Sequence, residues 1–307
     1  MDRFDAMLAF TRVVELGGFT KAALSLNLPK TTVSAQVQAL ESRLRVKLLN
    51  RTTRRVSVTT DGAAYYERAV QLLQELEETE SLVSQATASP KGRLRVDVPG
   101  SLGRRIIVPA LNGFLSRYPE IELEMGCNDR PVDLIEEGVD CVIRGGELTD
   151  LSLVARRVGS LKFLTCASPG YLAEYGEPQT PADIERHKGV HYFSSKSGKI
   201  FEFDFSKDGE KTLICARRRV LLNDGDACVA AALAGAGIVQ LPTYMVQDHI
   251  ASGELAIVLG TYLSEDLPIH ALYPQNRHLS TKVRAFIDWI SELFEHSDLV
   301  PTRSLIS

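Results

Sequence analysis

Val33, Val37, Leu40 and Leu44 recur at intervals of four, three and four residues, the spacing that stacks apolar side chains on one side of an α-helix. With about 100° of turn per residue, Thr31, Ser34, Ala35 and Gln38 fall on the opposite side. Two shorter helical patterns precede this one. Phe4, Met7, Leu8 and Val14 share a face of a first helix that Gly17-Gly18 closes. A second is expected to open at Thr20 as N-cap and to run through Ala22, Ala23, Leu24 and Leu26 until Asn27-Leu28-Pro29 breaks it. Three helices this short bury apolar surface only by packing on one another. The last then turns a small, hydrogen-bonding N-terminal face outward. Two uses fit such a face: an ordinary solvated surface, or a helix that enters the DNA major groove and reaches base edges.

Charge favours the second use. Residues 1–60 hold ten Lys and Arg against Asp2, Asp5, Glu15 and Glu41, net +6, in a chain of net charge −4, so the remainder carries −10. Neutralising phosphates supplies most sequence-independent affinity for DNA, and a basic module on an acidic body has that footprint. After the third helix, Leu48-Leu49-Asn50 leads into Arg51-Thr52-Thr53-Arg54-Arg55, and Val56-Ser57-Val58 alternates as a short strand. This is a basic β-wing, placed to straddle the DNA backbone or probe the minor groove.

Residues 1–88 resemble the winged helix-turn-helix and linker of the LysR-type transcriptional regulators, without gaps along GGFTKAALSLNLPKTTVSAQVQALESRLRVKLLNRTTRRVSVTTDG. The resemblance implies that Lys30, Thr31, Thr32, Ser34 and Ala35, with Gln38 one turn further, face the major groove, and that Arg51, Arg54 and Arg55 meet phosphate or minor groove. The chain carries Lys30-Thr31 and Ser34-Ala35 where the family usually has Gln-Pro and Ser-Arg pairs, so a family-typical target sequence is not implied.

From Asp61-Gly62 onward, Tyr65, Ala69, Leu72, Leu76, Thr79, Val83 and Ala86 follow a 4-3-4-3-4-3 spacing beside Glu75, Glu77, Glu78 and Glu80. So narrow an apolar seam asks for a helical partner, either a second copy or the helix's own domain. In LysR-type proteins the corresponding helix forms a dimer, which implies Tyr65, Leu72, Leu76 and Val83 as dimerisation residues and a nearly palindromic operator. Ser84 to Gly92 then reads as a hinge.

The acidic remainder alternates strands and helices. Strands are expected at 94–98, 121–126, 140–144, 161–166, near 190 and 201, and at 213–222, 237–241 and 269–273. Helices are expected at 101–118, 131–138, near 170 and 182, and at 224–235 and 280–296. Such βαβ halves present backbone amides and helix N-termini at a crevice, a ligand-binding arrangement. The region is similar to the LysR substrate-binding domain, of the type II periplasmic-binding-protein kind, with recognisable stretches LRVDVPGSLGRRIIVPALNGFLSRYP and VDCVIRGGELTD. The resemblance implies two chain crossings near 161–165 and 264–268 and an effector in the cleft between subdomains. Carried over position by position, it implicates Ser101, Leu102, Asn128, Arg144, Phe201, Asn223 and Asp224. Ser101 and Asp224 are also natural N-caps, and Arg144 could instead pair with Asp140 or Glu147. Free helix N–H groups plus an arginine would suit a small anionic effector, a carboxylate by preference.

The expected fold is therefore multidomain. It comprises an all-α winged helix-turn-helix domain at 1–60, a long linker helix and hinge at 61–89, and an α/β effector-binding domain at 90–307. The last consists of two doubly wound subdomains, 90–163 with 267–307, and 164–266. Enzyme signatures are missing: there is no GxSxG, Ser195 to Ile200 is not a phosphate loop, and Gly235-Ala236-Gly237 closes a helix instead of opening one. The six histidines have no metal-ligand spacing, and no cofactor is expected. The five cysteines (127, 141, 166, 215 and 228) show no CxxC spacing and are expected to be reduced, in a cytoplasmic protein without a secretory signal or membrane span. A transport binding protein would need export and would leave the basic head unused; a DNA-architectural protein would gain nothing from an acidic body. The reading is a regulator whose partners are promoter DNA, a small effector and further copies of itself, a homodimer assembling to a tetramer. RNA polymerase is a further partner the resemblance allows.

Overall fold

The computed structural model describes residues 2–51, 56–83, 89–130, 132–134, 136–146, 153–195, 197–275 and 279–296. The chain divides into two compact units, Met1–Ala88 and Ser89–Ser307.

The first unit contains α1 (Arg3–Glu15), α2 (Phe19–Ser25), α3 (Lys30–Leu44), β1 (Leu49–Arg51), β2 (Val56–Val58) and α4 (Thr60–Val83). Its core is Ala6, Ala9, Phe10, Val13, Ala22, Ala23, Val33, Val37, Leu40, Leu48 and Leu49. The packed face of α1 is thus rotated from the one expected: Phe4 and Leu8 are exposed, because the small Ala6 and Ala9 admit the neighbouring helices closely. The cap of α2 is Gly18 rather than Thr20, which lies inside the helix. In α3 the buried side holds Val33, Gln36, Val37 and Leu40, while Leu44, in the last turn before a left-handed Arg45, is exposed. Strands β1 and β2 pair antiparallel, Leu49 with Val58 and Arg51 with Val56, and frame the wing.

Thr59 starts α4. Its hydroxyl accepts the Gly62 N–H at 2.9 Å and donates to the Lys47 carbonyl at 2.7 Å, satisfying one of the amides that a helix start leaves open. Gly62 is required here: a Cβ would lie 2.0 Å from the Leu48 carbonyl oxygen. The first turns of α4 lie on their own domain, with Ala69 buried and Tyr65 edge-on to Phe10 at 5.6 Å.

The second unit begins with β3 (Gly92–Val98). A continuous helical run follows, made of α5 (Gly100–Leu102), a π-wound segment (Gly103–Ile107) and α6 (Val108–Arg117). Then come β4 (Ile121–Cys127), β5 (Cys141–Gly145) and β6 (Leu153–Leu161). With β14 (Leu267–Pro274) these strands form one sheet of order β4-β3-β5-β14-β6. Strand β3 is parallel to β4 and β5, and β14 is antiparallel to β5 and β6. Helix α10 (Thr281–His296) packs its aromatic face on this sheet, with Phe114 5.7 Å from Phe286 and 5.0 Å from Trp289 between ring centres. Among the described residues of 131–138 there are turns where a helix is expected: Asp133 accepts the Glu136 N–H, and Gly138 takes a positive φ.

The second lobe holds β7 (Phe163–Ala167), α7 (Pro169–Tyr175), a 3₁₀ turn (Pro181–Arg186), β8 (Lys188–Tyr192), β9 (Phe203–Lys207), β10 (Glu210–Ile214), β11 (Arg217–Leu222), α8 (Gly225–Leu233), β12 (Val239–Pro242), α9 (Thr243–Ala251) and β13 (Ala256–Ile257). The single strand expected at 213–222 is two strands with different partners: β10 hairpins with β9, whereas β11 runs parallel to β8. Strand β7 lies between β12 and β13, both antiparallel to it. The chain leaves the first sheet after Leu161, enters the second at Phe163, and returns at Leu267. Leu161 and Leu267 pair directly, so the two crossings lie side by side.

Candidate DNA-binding face and ligand cleft

The N-terminal half of α3 alternates buried anchors with outward polar groups. Lys30, Thr31, Ala35 and Gln38 are exposed, and Thr32 and Ser34 are half-buried. Val33 and Val37 are fully buried, which fixes the helix's rotation and hence which side chains point out. Pro29 sets up the start of the helix: its carbonyl accepts the Thr32 N–H at 2.9 Å and the Val33 N–H at 3.2 Å. Glu41 ties the wing to the helix, its carboxylate accepting the Leu48 and Leu49 N–H groups at 2.9 and 3.1 Å. Arg51 ends β1; Arg54 and Arg55, on the connection between β1 and β2, lie outside the described residues.

On α4, Tyr65 serves its own head through the Phe10 contact, and Leu72 is exposed. Leu76 is half-buried, while the Val83 side chain lies outside the described residues.

The second cluster lies between the lobes. Ser101 is buried, and its hydroxyl is 2.9 Å from the hydroxyl of Tyr244, on α9 of the opposite lobe. Two consecutive arginines of the π-wound segment reach one carboxylate on α8. Arg104 donates to Asp226 at 2.6 and 3.0 Å, Arg105 donates to it at 2.9 Å, and Arg104 also lies 3.6 Å from Asp224. Burial works against the Asp226 anion, yet the two arginines hold its carboxyl below the ordinary aspartate range. Asp224 caps α8 by accepting the Ala227 N–H at 2.8 Å.

Among the described residues Arg144 takes a partner other than Asp140. Its guanidinium is bound to Asp97, a buried carboxylate on β3 that also accepts the Asn128 side-chain N–H at 2.9 Å. Asp140 is occupied elsewhere, accepting the Arg95 N–H and lying 3.6 Å from the buried Lys282 ammonium; Glu147 is outside the described residues. Gly126 makes room for this clasp, since a Cβ there would sit 2.2 Å from the Asp97 carboxylate. Leu102 is fully buried in the core. Phe201 is exposed beside Tyr192, with ring centres 5.8 Å apart, and Asn223 is exposed and donates to Ser195 at 3.0 Å.

Sequence reasoning missed Asp129, Tyr192 and Tyr244. Asp129 accepts the Gly100 N–H at 3.2 Å, and its charge acts on Arg144 and Arg104 of its own lobe and on Tyr192, Asp224 and Tyr244 of the other. Burial pushes its carboxyl above the usual range, and it pushes the Tyr192 and Tyr244 hydroxyls up to about 12. The signal for Asp129 was its place directly after Asn128. Among the described residues no cluster of His, Cys, Asp and Glu could hold a metal, and no helix is long and apolar enough to cross a membrane.

Two family models match the chain. The Bacterial regulatory helix-turn-helix protein, lysR family, matches residues 4–63, and the LysR substrate binding domain matches residues 87–295. An HTH-type transcriptional repressor of Pseudomonas aeruginosa (strain UCBPP-PA14) is 39% identical over 96% of this chain and 93% of its own length. The HTH-type transcriptional activator AaeR of Escherichia coli (strain K12) is 34% identical over 96% and 94%. The solved structure of CrgA, a LysR-type transcriptional regulator from Neisseria meningitidis, is similar with a TM-score of 0.59 and 33% identity, covering 94% of this chain and 98% of that one. A basic helix-turn-helix head, an α/β ligand-binding body and relatives alike over nearly their whole length lead to one conclusion: the chain belongs to the LysR family of bacterial helix-turn-helix transcriptional regulators.

Proposed function

We propose that this regulator reads an inverted-repeat operator as a homodimer that assembles to a tetramer, and that a small anionic effector in the inter-lobe cleft changes its DNA contacts. The observation that carries the DNA reading is the outward face of α3: Lys30, Thr31, Ala35 and Gln38 are exposed over fully buried Val33 and Val37. Thr32 and Ser34 extend that face, and Arg51, Arg54 and Arg55 of the wing would hold phosphate or minor groove.

Exposed Phe4, Leu8 and Leu72 support self-association through the first unit, because apolar side chains left outside a small core are what a second copy would cover. Leu76 and Val83 would continue that contact along the linker helix. Pairing two heads sets their spacing, and a two-fold protein calls for a two-fold site. Such a protein would work in the cytoplasm, where RNA polymerase is a further partner.

In the cleft, Ser101, the Leu102 backbone, Phe201, Asn223 and Asp224 would line the effector. Arg144 and Asn128, whose N–H groups are bound to Asp97, would take part only by dividing those donors between Asp97 and the effector. Binding between the lobes would favour one of two assemblies that differ in their DNA contacts.

Nuclease footprinting of genomic promoter fragments with the full-length protein tests this reading. Protection of two half-sites related by a dyad, altered by candidate small carboxylates, is expected. Protection of no promoter fragment under any condition would end it.

A further inference from the structure

Three arginines of the cleft are already engaged. Arg144 is held by Asp97, and Arg104 and Arg105 are both held by Asp226. Asp129 differs: among the described residues it forms no ion pair, and it accepts a single hydrogen bond, from the Gly100 N–H at 3.2 Å. A carboxylate has about four acceptor positions, so most of its capacity is unused. It is held on Gly100, next to Ser101, whose hydroxyl meets that of Tyr244 across the cleft at 2.9 Å, so it lies where both lobes converge. Burial still outweighs the Gly100 bond and the Arg144 and Arg104 charges, both arginines being bound to other carboxylates, and pushes its carboxyl upward.

We propose that Asp129 sets the ligand class of the cleft by requiring a hydrogen-bond donor, a hydroxyl or an ammonium group, on the end of the small molecule that reaches it. This rests on the reading of the cleft as the effector site and narrows it. A bare anionic group beside Asp129 meets like charge at a half-buried position, where repulsion is stronger than in bulk. A donor there completes the acceptor's hydrogen bonds instead, and bonds to a charged acceptor are the strong ones. An anionic group on the same molecule then belongs away from Asp129. The effector is accordingly a small hydroxy- or amino-substituted acid, in preference to the unsubstituted acid.

The test is isothermal titration of the full-length protein with two matched sets: propanoate, lactate and alanine, and phenylacetate, mandelate and phenylglycine. In at least one set the donor-bearing members bind about tenfold or more tighter than the unsubstituted acid, the ratio expected for a hydrogen bond to a charged group. Asp129→Ala abolishes the preference. Asp129→Asn, which keeps an acceptor for the Gly100 N–H, abolishes it for the ammonium members and guards against a folding defect. Equal affinities within both sets, failure of every donor-bearing member to bind at millimolar concentration, or a preference that survives Asp129→Ala overturns the proposal. If Phe201→Ala weakens binding while the preference survives Asp129→Ala, only the donor requirement falls. Binding indifferent to both substitutions removes the cleft reading as well.

Discussion

The Ser101 hydroxyl lies 2.9 Å from that of Tyr244, 143 residues later in the chain, and the two join the lobes through a buried bond. Tyr244 is 7% exposed, as is Ser101, so neither group has ready access to water as a substitute partner. Removing either partner leaves the other unsatisfied, whereas removing both leaves nothing to satisfy. Ser101→Ala and Tyr244→Phe are each expected to cost about 1–3 kcal/mol, and the double variant less than the sum. Urea denaturation of the full chain measures this; strictly additive losses would mean that the two hydroxyls do not support each other.

Asp226 gives the second unit a pH dependence of definite sign. Its folded pKa is depressed, so its contribution is present above the ordinary aspartate value of 3.8 and is lost as pH falls through the folded value. Asp226→Asn should melt lower than the unaltered protein at pH 6, by no more than about 1 kcal/mol because the pair is partly solvated. The two melting curves should begin to converge only below pH 3.8 and meet below the depressed folded value. A constant offset across the whole range would assign the stabilisation to packing instead.

On the DNA face, Thr31→Ala should change which bases are preferred at one position of each half-site. Arg54→Ala should weaken binding to specific and random duplexes alike and flatten the salt dependence by about one phosphate contact. Mobility-shift titrations at several salt concentrations separate the two. Equal losses on both duplexes for both variants would contradict this division of roles.

Gly62→Ala should disturb the head without touching a DNA-facing residue, since its Cβ would collide with the Leu48 carbonyl at 2.0 Å. A loss of about 1–3 kcal/mol, the usual range for overpacking, is expected in chemical denaturation. Unchanged stability would show that α4 can start elsewhere.

The thiols divide by burial. Cys166 and Cys228 are pushed up to about 12 by desolvation, and Cys141 is raised further still. These three should resist iodoacetamide at pH 8 in the folded protein and react after denaturation. Peptide mass mapping gives the answer directly.

Local periodicity made the helix-turn-helix, the wing strands and the strand at 94–98 legible, because each buries one face at a regular interval. Spacing alone puts Phe4 and Leu8 on a buried face because it does not fix a short helix's rotation; the small Ala6 and Ala9 decide it. Strand β6 went unread because Ala155, Arg156 and Arg157 are exposed in succession and break its alternation. In the cleft, Ser101 and Asp224 could be carried over one at a time, but their partners could not. Tyr244, Asp226 and Asp97 are brought to Ser101, Arg104 and Arg144 by chain topology, over separations on which local pattern is silent.

Leu161 and Leu267 pair where the chain passes between lobes, so the two halves are connected by neighbouring strands and not by one tether. Two strands joined side by side give the lobes a common seam, so any change in the angle between them has to be taken up within the same few residues, 161–163 and 264–267. Substitutions there are the ones expected to alter how the lobes meet.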